Sequence, residues 1–543
     1  MVLRLLSKQG VMCILDDEKD NIDNYYLGVE LGSTRVKSVV IDDSYNVVAS
    51  GTSNWENKYQ DGYWTYSLED IWDSLETSIQ DLKNDLSNQD RDISITAAGI
   101  SAMMHGYLAF DKDDNLLVPF RTWRNSTTEA SAKVLSELFQ FNIPQRWGIA
   151  HLYQAILNQE EHVPEIAYVT TLAGYVHWQL TGEKVLGIGD ASGLFPIDSS
   201  TRQYDQVMLE KFNQLIADHN FPWQLEDILP KVKTAGQEAG TLTEQDLAKL
   251  NLTSLCNEAT RFAPPEGDAG TGMVATNSIE QRTSNISIGT SAFMMVVLEN
   301  KLKGQYEEVD IVTTPEGEDV AMIHTNTCSS EINAWMNLFQ EFIDLFNFDI
   351  ETDELYERLF NQTYETDADN ELFIHALHSG ENVFNLNQAY PALFRNTNSS
   401  LSLPNIMRAN LYAAFAPLKY GIDILNQHET INIDRTIAHG GLFKTPKVAQ
   451  RVLTSALNQT ISLADNASEG GSWGIAILAA YMNQAEQYTL TEFLNELVFA
   501  ERKETAIEPD NRDVQDYNAY YEKYIAALPI QVQINSVLSE QHH

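Results

Sequence analysis

Residues 27–42, LGVELGSTRVKSVVID, predict an apolar strand, a Gly-Ser-Thr turn and a second strand. Residues 284–299, SNISIGTSAFMMVVLE, predict the same hairpin again in the second half of the chain. A glycine in such a turn accepts positive φ and lets a ligand approach the backbone, and the hydroxyls and amides that follow it form an anion-binding nest. Two such turns are suited to hold the phosphates of one nucleotide from opposite sides, and the alternative is two ordinary hairpins.

The composition indicates a large acidic protein without a disulfide framework. At roughly 150 residues per domain, 543 residues predict two to four domains. The net charge of -42 argues against nucleic acid or an anionic membrane surface as a partner. The three cysteines, Cys13, Cys256 and Cys328, are far apart and lack metal-ligand spacing, so we expect no zinc site and a reducing, cytoplasmic location.

The amino-terminal residues predict a leader and no membrane helix. The chain has no apolar run of roughly 18 residues, the length that a membrane helix requires. Residues 1–24 combine a broken apolar stretch, Val11–Leu15, with the acidic run 16–20. We therefore expect residues 1–24 to form a disordered leader rather than a signal peptide.

Strand and helix patterns alternate along the rest of the chain. Ser67 and Asp70 predict a capping box at the start of a helix whose apolar residues recur on one face. Such alternation indicates an α/β or α+β architecture rather than a sandwich or a helix bundle. The best domain boundary lies near the turn at 264–268, just before the second hairpin.

Four separated segments resemble, in the same order, the motifs of the FGGY family of carbohydrate kinases. They are the two hairpins, residues 265–272 (PEGDAGTG) and residues 438–446 (AHGGLFKTP), the last continued by 469–474 (EGGSWG). The resemblance extends over nearly the whole chain from about Tyr25. It implies an α/β fold of two actin-like ATPase domains of the ribonuclease-H type that flank a ligand cleft. The expected bounds are 25–275 for the amino-terminal domain with the sugar site, 276–530 for the carboxyl-terminal domain, and 531–543 for a tail.

The resemblance assigns ATP to the hairpins and to the Gly-Gly turn, which in the family admits the purine and ribose. The implied ATP-binding residues are Gly32, Ser33, Thr34, Lys37, Gly289, Thr290, Ser291, Gly440, Gly441 and Thr445.

Asp268 is the candidate catalytic residue, because the segment around it resembles the turn that bears the family's catalytic aspartate. Phosphoryl transfer to an alcohol requires an acceptor for the proton of the attacking hydroxyl, and a carboxylate can act as that acceptor. The alternative is an aspartate that satisfies the amides of its own turn.

Glu30 departs from the family, which usually has aspartate here to hold Mg²⁺ through water. Glutamate keeps the charge but adds a methylene, so the metal must shift or gain a different water bridge. The alternative is that Glu30 pairs with Arg35 or Lys37. A second departure is Cys328-Ser329-Ser330-Glu331, where the family has small residues beside the nucleotide.

The sugar site is implied by residues 99–106, GISAMMHG, which resemble the Met-His-Gly stretch of xylulose kinases. There the methionine and histidine contact the ketose, so Met104 and His105 are expected to bind sugar together with Asp268. A neutral imidazole can exchange hydrogen bonds with sugar hydroxyls, but a single histidine at a strand end is more often structural. Trp123 and Asp190 complete the expected sugar contacts by resemblance to the family's substrate segments.

These observations predict an ATP- and Mg²⁺-dependent kinase that phosphorylates the terminal hydroxyl of a ketopentose such as xylulose or ribulose. Within the class, the alternative is a kinase for another polyol, a deoxy-sugar or a sugar acid. Outside it, the alternative is an actin-like protein that binds nucleotide without phosphorylating sugar. The expected partners are the sugar and ATP. The sequence leaves the stereochemistry of the sugar and the oligomeric state open, with a homodimer as one alternative.

Overall fold

The computed structural model describes residues 24–243, 247, 250, 252–365, 371–378, 380–386, 388–464 and 470–539. The described residues include Asn24 of the predicted leader but not the rest of it, which contains Cys13. They also leave out Glu469 of the segment 469–474 and residues 540–543 of the predicted tail. Within the described residues, no helix is long and apolar enough to cross a membrane.

Strands and helices alternate, as predicted. The strands are β1 (Tyr25–Leu31), β2 (Arg35–Ile41), β3 (Val47–Asn54), β4 (Lys58–Gln60), β5 (Tyr63–Thr65), β6 (Ile95–Ala102), β7 (Leu108–Phe110), β8 (Tyr168–Thr170), β9 (Val185–Gly187), β10 (Ile197–Asp198), β11 (Gln203–Tyr204), β12 (Lys231–Lys233), β13 (Arg261–Phe262), β14 (Glu266–Gly267), β15 (Thr283–Ile288), β16 (Ala292–Val297), β17 (Asp310–Thr313), β18 (Asp319–Thr325), β19 (Leu372–His375), β20 (Ala392–Arg395), β21 (Arg435–Gly440), β22 (Ile461–Ala464) and β23 (Glu504–Ile507). The helices are α1 (Leu68–Asn88), α2 (Glu129–Phe139), α3 (Gly148–Leu157), α4 (Leu172–Thr181), α5 (Ile188–Ser192), α6 (Gln206–Leu215), α7 (Leu225–Ile228), α8 (Asp268–Ala275), α9 (Ser330–Leu345), α10 (Thr352–Asn361), α11 (Leu403–His428), α12 (Val448–Leu457), α13 (Gly470–Tyr481), α14 (Leu490–Phe493), α15 (Asn511–Ala526) and α16 (Leu528–Ser539).

The two predicted hairpins organise two sheets in the same way. In the first sheet, the order is β13-β6-β1-β2-β3, and β14 also pairs with β6. In the second, the order is β17-β18-β16-β15-β21-β22-β23. In each sheet the hairpin strand β1 or β15 lies between an antiparallel partner and a parallel one, β6 or β21. The repeated hairpin in the sequence therefore corresponds to a repeated sheet topology.

The helix predicted from Ser67 covers one face of the first sheet. The amide of Asp70 donates to Ser67 Oγ at 3.0 Å, and the amide of Ser67 donates to Asp70 Oδ2 at 3.4 Å, so the capping box is confirmed. Its buried face packs against the sheet through the aliphatic residues Ile71, Leu75, Ile79, Leu82 and Leu86.

Helix α13 lies between β22 and β23 of the second sheet along the chain but packs against the first sheet. Side chains alternate along β1, so Leu27 lies in the α1 core while its neighbours face α13. A Cβ on Gly28 would lie 2.0 Å from the Ser472 carbonyl oxygen, and one on Gly474 would lie 2.1 Å from that of Thr271. Glycine permits these contacts, and the amino end of α13 therefore lies beside the carboxyl end of β1.

Candidate active site

Strands β1, β6 and β14 run parallel, so the residues at their carboxyl ends meet at one edge of the first sheet. Glu30 pairs with Ser101 across β1 and β6, and Ser101 pairs with Glu266 on the other side. Asp268 begins α8 directly after β14. Met104 and His105 follow β6 by a few residues. This edge is consequently rich in carboxyl groups.

Asp268 is held at this edge by the segment after β6. The amide of Met104 donates to Asp268 Oδ1 at 3.2 Å. Burial raises the pKa of Asp268 to about 6, although the amides of Met104 and Ala269 oppose the rise. Asp268 is therefore mostly ionised at neutral pH and is a stronger base than an exposed aspartate, which suits proton transfer.

Glu30 joins the first hairpin to the amino end of α13. The amide of Ser472 donates to Glu30 Oε2 at 3.1 Å. Burial and then the charge of Asp268 raise the pKa of Glu30 to about 7, while the charges of Lys37 and Arg35 act in the opposite direction. Lys37 is the direct partner of Glu30 across β1 and β2. A Cβ on Gly471 would lie 2.6 Å from Glu30 Oε1 and 2.7 Å from Thr271 Oγ1, so Glu30 lies close to α8, the helix that Asp268 begins.

His105 is oriented by the loop that carries Asp190. Its Nδ1 lies 3.2 Å from the carbonyl oxygen of Gly193, which can only accept, so Nδ1 carries the proton. Burial and the charge of Arg146 hold the pKa of His105 well below its ordinary value. In the neutral ring, Nε2 is then an acceptor. The backbone of His105 has a φ of 69°, an unusual value for a non-glycine residue.

Asp190 is fully buried at the amino-terminal side of the same loop. Thr171 Oγ1 donates to its Oδ2 at 2.5 Å, whereas its Oδ1 is buried and has no hydrogen-bond partner among the described residues. Burial raises the pKa of Asp190 to about 7, and the charge of Asp268 adds to the effect. The structure thus brings Asp190, His105, Met104 and Asp268 into one connected set.

Trp123 contacts the first hairpin. Its indole Nε1 donates to Ser33 Oγ at 3.1 Å, and this hydrogen bond links it to the expected phosphate-binding residues rather than to His105. Two other aromatic side chains support the same turn: Trp55 Nε1 donates to the Gly32 carbonyl at 2.7 Å, and Tyr66 donates to the Ser33 carbonyl at 2.5 Å. Thr34 is exposed at the tip of the turn.

The second hairpin is held by the segment that departs from the family. The Cys328 amide donates to the Thr290 carbonyl at 2.8 Å, and the Ser329 amide donates to the Gly289 carbonyl at 3.2 Å. Ser291 accepts through its carbonyl from the Gly289 amide at 2.8 Å. The backbone of this segment therefore helps to shape the turn, and these contacts do not depend on the side chains in which it departs from the family.

The Gly-Gly turn lies beside the second hairpin. A Cβ on Gly440, whose φ is 126°, would lie 1.9 Å from the Ile288 carbonyl oxygen, so only glycine fits there. Gly441 opens a short helical turn, and Thr445 is buried at the end of it. These residues are thus grouped with Gly289 to Ser291 on the second sheet.

Sequence reasoning missed two polar contributors. The sequence assigns no role to Glu266, which lies inside the segment 265–272. It places Ser472 only within the segment 469–474 and predicts no contact for it. Glu266 could have been noticed as an acidic residue within an apolar, glycine-rich run. The contact of Ser472 with Glu30 depends on residues 442 positions apart, and a local pattern cannot reveal it.

A cavity of about 680 Å³ lies elsewhere, at the amino-terminal edge of the second sheet. Its lining includes Asn277, Thr283, Arg435 and Arg502. None of the sequence-predicted site residues lines it. The contacts of the carboxyl groups at the first sheet connect the predicted residues Asp190, His105, Met104 and Asp268, whereas this cavity connects none of them.

Comparison with known proteins identifies the two halves. Residues 25–254 match the family model for the FGGY family of carbohydrate kinases, N-terminal domain, and residues 284–483 match the one for the C-terminal domain. The chain is 24% identical to a xylulose kinase of Haemophilus influenzae over 531 residues, which cover 93% of this chain and 99% of that protein.

Solved structures share the fold. The ligand-bound xylulose kinase from Lactobacillus acidophilus superposes with a TM-score of 0.74 at 16% identity, covering 95% of this chain and 98% of that one. The gluconate kinase from the same organism superposes with a TM-score of 0.75 at 17% identity, with the same coverage. At these identities the superpositions establish the fold alone.

Proposed function

The chain belongs to the FGGY family of carbohydrate kinases, and we propose that it transfers the γ-phosphoryl group of ATP to the terminal hydroxyl of a ketopentose such as xylulose or ribulose. The observation that carries this proposal is that Met104 connects His105, Asp190 and Asp268: its amide donates to Asp268 Oδ1, and its side chain packs against Gly193, which binds His105, and against Gly267, which lies next to Asp190 Oδ1. A ring with Nδ1 donating to Gly193 offers Nε2 as an acceptor for a sugar hydroxyl. The name of the Haemophilus influenzae relative supports a ketopentose.

The electrostatics of the site favour a neutral sugar over a sugar acid. Glu30, Asp190, Glu266 and Asp268 all have pKa values raised by burial, which shows that negative charge is already costly at this edge. A substrate carboxylate would add another negative charge. Arg146 is a cation whose charge acts on His105, but its guanidinium forms an ion pair with Asp310. Its charge is therefore already balanced and is less suited to bind a substrate carboxylate.

In the proposed reaction, the Asp268 carboxylate accepts the proton of the sugar hydroxyl. The oxygen of that hydroxyl attacks the γ-phosphorus, and the bond from phosphorus to the bridging oxygen of ADP breaks. Asp268 Oδ1 is fixed by the Met104 amide, so the hydrogen bond holds the carboxylate while the proton is transferred. His105 and Asp190 orient the sugar, which limits the attack to one hydroxyl.

The predicted ATP contacts fall into two groups. Gly32, Ser33 and Thr34 form the turn of the first hairpin, and Gly289, Thr290 and Ser291 form the turn of the second. We propose that these turns bind the phosphates, that Gly440 and Gly441 admit the purine and ribose, and that Thr445 and Lys37 contribute from beside them. A turn rich in amides and hydroxyls suits this task in a chain of net charge -42.

Glu30 is suited to hold Mg²⁺ through water. Mg²⁺ prefers oxygen ligands, keeps several waters and is often bound through one or two carboxylates and the phosphates of the substrate. Glu30 is a carboxyl group at the ligand-facing edge, next to Asp268, and its Oε2 is already fixed by Ser472. When bound, Mg²⁺ neutralises charge on the phosphates.

A coupled ADP-release screen tests the proposal. The purified protein is supplied with ATP, Mg²⁺ and one of a panel of ketopentoses, polyols and sugar acids, and a reaction without sugar is the control. We expect the highest kcat/KM with a ketopentose and little ADP without sugar. A higher kcat/KM with glycerol or gluconate would refute the substrate assignment, and ADP release that does not depend on sugar would favour the actin-like nucleotide-binding alternative. The homodimer and the cytoplasmic location stay predictions.

A further inference from the structure

Glu266 is buried under the 187–190 turn, which consists of the last residue of β9 and the first turn of α5. The residue is only 1% exposed. The Gly189 amide donates to Oε1 at 3.3 Å, and the Asp190 amide donates to Oε2 at 2.9 Å. A Cβ on Gly187 would lie 2.3 Å from Oε1, and one on Gly189 would lie 2.5 Å from Oε2. The two glycines therefore leave room for the carboxyl group, which binds one amide with each oxygen.

The turn that Glu266 holds carries a carboxyl oxygen without a partner. Asp190 Oδ1 is buried and unpartnered, while Thr171 occupies Oδ2. A Cβ on Gly267 would lie 3.3 Å from Asp190 Oδ1 and 2.1 Å from Met104 Cγ. The unpartnered oxygen is therefore next to the backbone that leads into Asp268, on the side where Met104 packs.

We infer that Glu266 is a positioning residue for sugar binding, which fixes the 187–190 turn so that Asp190 Oδ1 is directed at a hydroxyl of the sugar. The inference rests on the proposed function, in which Asp190 contacts the sugar. It adds a residue that the resemblance assigned no role, and it specifies how that residue acts: through the backbone amides of the turn and not through contact with the substrate.

The chemistry of the contact explains why a carboxyl group is required. Two amides point at two oxygens, and both oxygens of a carboxyl group have lone pairs. A glutamine keeps one acceptor and places an NH₂ group against the second amide, where it cannot accept. An aspartate keeps both acceptors but is one methylene shorter. Burial raises the pKa of Glu266 to about 8, and the charge of Asp190 adds to the rise, whereas the amides of the turn act in the opposite direction.

The protein contains a matched control in its second half. Glu381 is also fully buried, and it accepts from the Asn326 amide at 3.0 Å and the Thr327 amide at 3.3 Å. Burial raises its pKa to about 7. Glu381→Gln therefore makes the same substitution at another buried glutamate that accepts from backbone amides, here with both amides on Oε2, and it does so far along the chain from the 187–190 turn.

The experiment compares Glu266→Gln with Glu381→Gln in the full-length protein. The readouts are KM for sugar, KM for ATP, and hydrogen-deuterium exchange of a peptide that spans residues 187–193. We expect Glu266→Gln to raise KM for sugar about tenfold, change KM for ATP less than twofold, and speed exchange in the peptide. Glu381→Gln is expected to change KM for sugar less than twofold. Glu266→Asp, with both acceptors kept, should recover part of the sugar affinity.

Three results would overturn the inference: unchanged exchange in Glu266→Gln, faster exchange with unchanged KM for sugar, or an equal rise of KM for sugar in both variants. The sugar used is the one with the highest kcat/KM in the wild-type screen. If that sugar is a polyol or a sugar acid, the ketopentose assignment fails while the comparison of the two variants still decides the role of Glu266.

Discussion

The pH dependence of catalysis should follow the ionisation of Asp268. An acceptor must be deprotonated, so kcat/KM should fall as pH decreases through the pKa of about 6 that burial gives this carboxyl group. At pH 5, one unit below that pKa, about 9% of Asp268 is ionised, whereas an aspartate at its ordinary pKa of about 3.8 would still be about 94% ionised. The raised pKa therefore predicts a loss of about tenfold between pH 8 and pH 5.

The assay is kcat/KM for the sugar, measured between pH 5 and pH 9 at constant ionic strength and saturating ATP and metal. Asp268→Asn should lower kcat by about 10²-fold or more and remove the break near pH 6, while leaving ATP binding nearly intact. The asparagine oxygen can still accept from the Met104 amide, so the turn should keep its shape.

Other carboxyl groups at this edge also have raised pKa values, so Asp190→Asn serves as the control profile. Its break near pH 6 should persist, because Asp268 is unchanged. The reasoning would be refuted if Asp268→Asn kept turnover within about threefold of the wild type, or if it kept the same break.

Three further predictions concern the sugar, the metal and the stability of the fold. His105→Ala should raise KM for sugar about tenfold and barely change KM for ATP, since a lost buried hydrogen bond costs about 1 to 3 kcal/mol; equal weakening of both ligands with a lower Tm would indicate a structural histidine. Glu30→Gln should raise the Mg²⁺ concentration for half-maximal rate, with a smaller loss in Mn²⁺, whereas Glu30→Asp should stay active with a changed preference between the two metals; overlapping titrations would leave Glu30 as a partner of the Ser472 amide only. Burial raises the pKa of Asp190 to about 7 from an ordinary value of 3.8, so its contribution favours folding below about pH 4 and is lost as pH rises from about 4 to about 7. Asp190→Asn should therefore lose less Tm than the wild type between about pH 4 and about pH 7, and an equal loss in thermal melts would contradict this.

Local patterns in the sequence predicted the units of this fold. The two hairpins, the capping box at Ser67 and the alternation of strands and helices are confirmed because each depends on residues a few positions apart. The resemblance of four ordered segments predicted the family, and the family comparison confirms it. The assignments of individual site residues stay predictions.

Only the tertiary structure decided how the carboxyl groups at the sheet edge interact. Glu30 meets the Ser472 amide because α13 crosses back onto the first sheet, and Asp190 meets Glu266 because the 187–190 turn lies over β14. The spacing along the chain says nothing about such contacts, and burial changes the pKa of each group by an amount that its residue type does not predict. The sequence by itself therefore determined the hairpins and the family, whereas the packing of distant segments decided which carboxyl groups are coupled, because desolvation and electrostatic coupling depend on three-dimensional proximity.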